Sequence, residues 1–257
     1  IVLVSVIKGQ LSRLKENYSS LIKNGRATPP VSTRIRKTST TEAGGVEGEQ
    51  VIATVFPLNM SDKFGPQGSW KGELWIKPNR EATQGSCLKI NTDEGSFNTV
   101  TVVLGAGNQG FLTVIDCLDA LFVHHETVLL KHHPLRGYQD SFIRKIFAPL
   151  IQLNYFNAVA DTTVQDAAAL VSHPLVSRVH MTGGKKTHDC IVWGNDDEER
   201  KERKLRKEPK LKAKMTSELG CVTPWIVIPG KYTEKELVHQ ASHLAGVLNA
   251  NGSCNCN

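Results

Sequence analysis

The spacing of apolar side chains changes along the chain. Leu11, Leu14, Tyr18, Leu21 and Ile22 recur at three- and four-residue steps, predicting a helix within residues 1–25 that Gly25 closes. Residues 26–50, rich in Thr, Ser, Gly and Pro, predict a loop. Strands are predicted at Val51–Leu58 and Gly72–Lys77, with loops over 59–72 and 78–96. From Phe97 short β-branched runs alternate with helical periods. They predict strand Val100–Leu104, a helix to about Phe122, strand Thr127–Lys131, helix Ser141–Leu153, a short strand Ala158–Ala160, helix Val164–Ser172 and strand Val176–Met181. Thr182-Gly183-Gly184 then turns into another helix, Cys190–Trp193 reads as a strand, and after an insert at 195–216 come strand Trp225–Ile228 and helix Thr233–Leu248. The alternation predicts an α/β fold, a mostly parallel sheet with helices on both faces. No internal repeat is visible.

The chain has 257 residues, 40% of them hydrophobic, enough for one or two cores rather than disorder. Ile1–Ile7 is apolar but too short to cross a membrane, and no run reaches the length that crossing requires. No basic stretch precedes Ile1–Ile7 and no small-residue cleavage site follows, so a signal peptide is not expected. The net charge is +6 and the pI about 9.0, which raises nucleic acid as a partner. The charge is local: nine basic residues lie between Arg200 and Lys214 against Glu202 and Glu208, and no aromatic residue interleaves with them. That composition fits a solvated loop or helix face and argues against nucleic acid. The six cysteines, Cys87, Cys117, Cys190, Cys221, Cys254 and Cys256, form no disulfide framework, so a reduced, cytoplasmic setting is expected.

Two constellations carry chemistry. Gly105-Ala106-Gly107-Asn108-Gln109-Gly110 follows a predicted strand and opens a helix, as the GxGxxG phosphate-binding turn of a Rossmann fold does. That fingerprint expects an acidic residue at the end of the second strand, where this chain has Lys131-His132-His133-Pro134. Glu218 precedes Cys256 by 38 positions, with a β-α stretch between, a carboxylate and a thiol that could serve as base and nucleophile. The start at Ile1 and the stop one residue past Cys256 suggest a fragment. His124-His125 and His132-His133 read as surface or loop histidines, and no metal site is expected. Trp70, Trp75, Trp193 and Trp225 read as packing residues beside strands.

The order LGAGN (104–108), Lys131, VSRVHMTGG (176–184), KTHDCIVWG (186–194), ELGCVTPWIVIPG (218–230) and Asn251…Cys256, together with GELWIKP at 72–78, resembles the aldehyde dehydrogenase superfamily over roughly residues 50–257, in its divergent branch with an LGAGN turn. The resemblance implies an aldehyde dehydrogenase-like Rossmann-type parallel sheet with flanking helices, plus a truncated start of the catalytic domain. Its domains would be an N-terminal arm at 1–96 packing on the cofactor domain, the NAD(P)-binding domain at 97–222 and the beginning of the catalytic domain at 223–257. It implies oxidation of a small-molecule aldehyde to a carboxylic acid with NAD or NADP. Cys256 would be the nucleophile, with Asn251 five residues before it as the pattern asks; Cys254 is the lesser candidate. Asn108 would be the oxyanion donor and Glu218 the general base. Leu104, Gly105, Ala106, Lys131, Gly183, Gly184 and Leu219 would hold the cofactor. Family members run to about twice this length and the full-length form is expected to be a homo-oligomer, so this N-terminal portion is expected to be inactive alone. Two other readings stay open: an ordinary Rossmann oxidoreductase using Gly105–Gly110, and a non-catalytic remnant or basic interaction module using 200–214.

Overall fold

The computed structural model describes residues 11–12, 14–16, 18–20, 22–23, 33–39, 47–57, 60–64, 68–80, 100–160, 162–220 and 223–255. The expectations for Ile1–Ile7, Gly25, Cys87, Cys221 and Cys256, and for the loop over 81–96, lie outside these residues. The chain divides into two compact units, Ile1–Ile90 and Asn91–Asn257.

In the first unit the described parts of 11–23 are helical, as the apolar spacing predicts. Three antiparallel strands follow: β1 (Thr33–Thr38), β2 (Gly48–Phe56) and β3 (Gly72–Trp75), in that order across the sheet. The short helix α1 (Met60–Phe64) interrupts the expected loop. Strand β1 and the start of β2 fall where a loop is expected. TRIRKT lacks an apolar run because β1 is an edge strand, and its charged side chains stay in water, as edges commonly arrange. Arg34 and Lys71 pair with Glu73 on β3. Hydrogen bonds from Lys71 first, then Trp75 and Arg34, outweigh desolvation and hold the Glu73 carboxyl down at about 2.

The second unit is a five-stranded parallel sheet: β4 (Val100–Leu104), β5 (Thr127–Lys131), β6 (Phe156–Val159), β7 (Val176–Gly183) and β8 (Lys214–Leu219), in spatial order β6-β5-β4-β7-β8. The first strand, β4, lies centrally, and Val102 and Val103 are both fully buried because a parallel sheet is covered on two faces. Alternation along each strand sorts its side chains. Helix α2 (Gly110–Phe122) packs over β4, β5 and β7, and Asp116 on α2 meets His180 and Thr182 of β7. On the opposite face, Val102 and Val179 join Val171, Val192 and Leu211 in one apolar cluster. That face carries α5 (Val164–Val171) and α6 (Lys185–Trp193), while α3 (Asp140–Ile146) and α4 (Ala148–Gln152) precede β6. The single helix expected at Ser141–Leu153 is broken at Phe147, two residues before Pro149, which lacks an amide donor.

Three further expectations change. Cys190–Trp193 is the last turn of α6, not a strand; a short apolar run looks the same in either element. Trp225–Ile228 forms no strand, and Ile226, Val227 and Ile228 are exposed. The strand beyond the charged insert is instead β8, whose KMTSEL is masked by polar residues because it lies at the sheet edge. Within the insert, α7 (Asp197–Arg206) is capped by Asp196, which accepts from the Glu198 and Glu199 amides. Its cations pair along the helix, Lys201 with Glu198, Arg203 with Glu199 and Arg206 with Glu202, so the charged run is a solvated helix face. Helix α8 (Glu234–Asn249), with a Thr233–Glu236 capping box, leads into a 3-10 turn at Ala250–Ser253. No helix among the described residues is long and apolar enough to cross a membrane.

Candidate active site

In doubly wound sheets, ligands gather at the carboxyl ends of strands where the order reverses, and here that point lies beside β4. A cleft of about 490 Å³ opens there on the α5/α6 face. Its wall includes Leu104 and Gly105 from β4, Lys131 to Pro134 after β5, and Met181 to Gly184 at the end of β7. Leu104, Gly105, Lys131, Gly183 and Gly184, all expected at the cofactor, are thus together. Ala106 is fully buried and its amide donates to Thr113 Oγ1 at 3.1 Å; Leu219 ends β8 opposite Gly183. Neither belongs to the cleft wall.

Gly184 is the N-cap of α6, in extended conformation and without a side-chain cap. A Cβ added there would meet nothing within 4 Å. Gly184 and Thr187 put the N-terminus of α6, the positive end of its dipole, in the cleft wall, a setting suited to phosphate.

The glycine-rich turn after β4 is occupied differently. A Cβ on Gly107 would lie 2.7 Å from the His133 ring, and one on Gly110 would strike the Gln139 amide. Arg136 clamps the turn, donating from Nε to the Gly107 carbonyl at 3.0 Å and from Nη2 to the Asn108 carbonyl at 2.8 Å. These glycines let protein side chains approach. His133 and Arg136 were not legible as partners of the turn, since only the tertiary fold brings 133–136 under 107–108.

Asn108 is partly buried, and its side-chain amide donates to the Cys254 carbonyl at 2.9 Å. Gln109 Nε2 donates to Asn255 Oδ1 at 2.8 Å. The 250–255 turn is tightly wound: Asn251, Gly252 and Ser253 all have positive φ, at 52°, 61° and 61°. Ser253 Oγ donates to the Leu248 carbonyl at 2.6 Å, and the Cys254 amide to the Asn251 carbonyl at 3.1 Å. Cys254 is exposed; Cys256 lies outside the described residues.

Glu218 is exposed on β8. It pairs in register with Thr182, whose hydroxyl donates to Asp116 of α2, so Glu218 projects from the α2 face while Leu219 turns to the other. Asn108 leads into the helix that covers the Glu218 face. The described contacts join Asn108 to the 250–255 turn but show no bond from Glu218 to either.

His132, expected at the surface or in a loop, lies in the loop after β5 but is buried, with Nε2 3.1 Å from Asp140 Oδ1. Burial pulls its pKa below the ordinary value, only partly offset by Asp140. Burial lowers His133 too, helped by Lys131 and Arg136, and desolvation lowers Lys131. No cluster of His, Cys, Asp and Glu among the described residues could hold a metal ion.

No family model and no curated protein matches the chain. Some solved structures do. 3,6-Anhydro-L-galactose dehydrogenase is 15% identical with a TM-score of 0.46, over 89% of this chain and 35% of that one. Aldehyde dehydrogenase C of Pseudomonas syringae is 17% identical with a TM-score of 0.46, over 63% and 30%. An NADP-dependent enzyme of E. coli is 13% identical with a TM-score of 0.47, over 97% and 38%. The chain spans about a third of the length of these structures. Similarity at this level says nothing of activity.

Proposed function

We propose that the chain carries the dinucleotide-binding unit and the first reactive elements of an NAD(P)-dependent enzyme that oxidises an aldehyde to a carboxylic acid. The observation that carries this is the Asn108–Cys254 hydrogen bond. It ties the turn after the central strand to the turn before the proposed nucleophile, at the strand ends that also bound the cleft.

In this reading the pyrophosphate lies against the α6 amides at Gly184, and a bound nicotinamide supplies the two-electron acceptor. Cys256, two residues past the partner of Asn108, attacks the aldehyde carbonyl as thiolate. An Asn side chain has two N–H donors; one goes to Cys254, leaving the other for the oxyanion, a contact typically worth about 3–4 kcal/mol. Glu218 takes a proton from the water that releases the acid. The alternative, pyrophosphate on Gly105–Gly110, is disfavoured because His133 fills the space at Gly107.

Gly184→Asp tests the cofactor placement. Asp is a better N-cap than Gly, by a few tenths of a kcal/mol, so the fold should be as stable or slightly more so. The same carboxylate would repel a phosphate. NAD(P)H titrated into the purified chain, followed by nicotinamide fluorescence, should bind the parent and not the variant. Absence of binding to the parent, or equal binding to both, overturns the proposal.

A further inference from the structure

Resting on that reading, we propose that Arg136 is a positioning residue for the oxyanion site: it fixes the peptide that carries Asn108 and polarises the side-chain amide that meets the developing charge. The turn between β4 and α2 needs outside support. Three of its six residues, Gly105, Gly107 and Gly110, are glycine, the residue with the most backbone freedom to lose. The N-cap of α2, Gln109, makes no side-chain cap bond. Arg136 supplies the support from the 3-10 helix Pro134–Gln139 that follows β5. Its planar fork serves two successive carbonyls, those of Gly107 at 3.0 Å and Asn108 at 2.8 Å, a bidentate match that a lysine ammonium does not reproduce. The fork is itself held. Nη1 donates to the Tyr138 hydroxyl at 2.8 Å, and the Arg136 backbone amide donates to the His133 carbonyl at 2.7 Å.

A continuous hydrogen-bond chain leads from the guanidinium to the Asn108 side chain. The Asn108 carbonyl accepts from Arg136, and the amide of that same peptide, the Gln109 N–H, donates to Asn108 Oδ1 at 2.9 Å. Asn108 Nδ2 then donates to the Cys254 carbonyl; among the described residues it has no second acceptor, so its other N–H is left for the oxyanion. Every link runs from donor to acceptor in one direction, and each therefore polarises the next in the same sense. Among the described residues Arg136 forms no ion pair, and its acceptors are two carbonyls and a hydroxyl. With no carboxylate to compensate it, the guanidinium charge acts on the turn and strengthens the last N–H of the chain, as an ionised donor strengthens the bonds it enters.

Acetylation of the whole chain by 4-nitrophenyl acetate tests this, because it needs no nicotinamide. The Cys256 thiolate attacks the ester carbonyl, the tetrahedral oxyanion collapses, and 4-nitrophenolate leaves while a thioester remains. Release of 4-nitrophenolate is followed by absorbance above the background set by Cys256→Ser. Asn108→Ala, which removes the donor, should slow release about 10²–10³-fold. Arg136→Gln should slow it at least about tenfold, and Arg136→Lys by less, because misplacement of a catalytic group is itself costly. Added to Asn108→Ala, Arg136→Gln should cause no further loss, since it acts only through that amide. Alkylation of Cys256 by iodoacetamide, read by tandem mass spectrometry, displaces iodide at a saturated carbon and builds no oxyanion. Its rate should hold in both Arg136 variants. Release at the parent's rate in both Arg136 variants, a loss that adds to that of Asn108→Ala, or an equal slowing of alkylation overturns the inference while the roles of Asn108 and Cys256 stand. Parent release no faster than that of Cys256→Ser overturns the reading beneath it, and the inference with it.

Discussion

Asn108 and Cys254, 146 positions apart, are joined by a 2.9 Å hydrogen bond from a side-chain amide to a backbone carbonyl. Asn251 reinforces the junction, its amide 3.4 Å from both the Asn108 and Cys254 carbonyls. The turn carries three consecutive positive-φ residues, two of them not glycine, a costly conformation that needs outside support.

Asn108→Ala should therefore loosen the turn selectively. Hydrogen exchange at the Cys254 amide should accelerate, with global stability falling by only about 0.5–1.5 kcal/mol, the usual net value of one hydrogen bond. Unchanged exchange at 250–255 would show that the turn holds itself.

The buried ion pair at the other end of the sheet should respond more strongly. Arg178 donates to Glu126 from Nε at 2.7 Å, and Thr101 donates to the same oxygen. The Arg178 and Glu126 side chains are only 7% and 17% exposed. Removing one charge strands the other, so Arg178→Met or Glu126→Leu alone should cost about 3–5 kcal/mol in urea unfolding, and the double variant should recover much of it. Additive losses would mean the pair is not coupled.

The parts of this fold that the sequence displays are those whose burial is uniform. β4 (VTVVL) is buried almost throughout and β5 (TVLLK) is mainly apolar, so both write themselves as hydrophobic runs, whereas β7 (VSRVHMTG) shows itself only through Val176, Val179 and Met181. β8 and β1 are edge strands whose exposed positions are polar, which erases the apolar signal. Cys190–Trp193 misleads because a helix end packed on the sheet buries the same residue types as a strand. The cleft follows the same rule. Lys131, Gly183 and Gly184 sit at strand ends that the sequence marks, and they fall in one wall. Arg136 and His133 reach their places through tertiary packing, which leaves no spacing to read.

His132 and His133 should make the fold acid-sensitive. Both have pKa values lowered from 6.5 in the folded state, so the unfolded chain binds protons more readily. Their stabilising contribution is complete above about pH 6.5 and declines as the pH falls below it. His132→Gln keeps a donor for Asp140 but cannot titrate, so the fall in melting temperature from pH 7 to 5.5 should be shallower in this variant. A slope identical to the parent's would assign the acid sensitivity to other groups.

Gly107 separates the two ways the glycine-rich turn could work. If its lack of a side chain admits the His133 ring, Gly107→Ala forces a Cβ to within 2.7 Å of that ring and should destabilise the fold, by roughly 1–3 kcal/mol as overpacking does. His133→Ala makes room, so the double variant should be less destabilised than the sum of the singles, a coupling expected only between residues in contact. Dinucleotide affinity in the double variant should stay near that of His133→Ala alone, because the phosphates are placed at Gly184. If the pyrophosphate instead lies on Gly105–Gly110, Gly107→Ala should abolish binding whether or not His133 is present. Nicotinamide fluorescence on the four proteins of this cycle, read beside their unfolding curves, decides between the two placements.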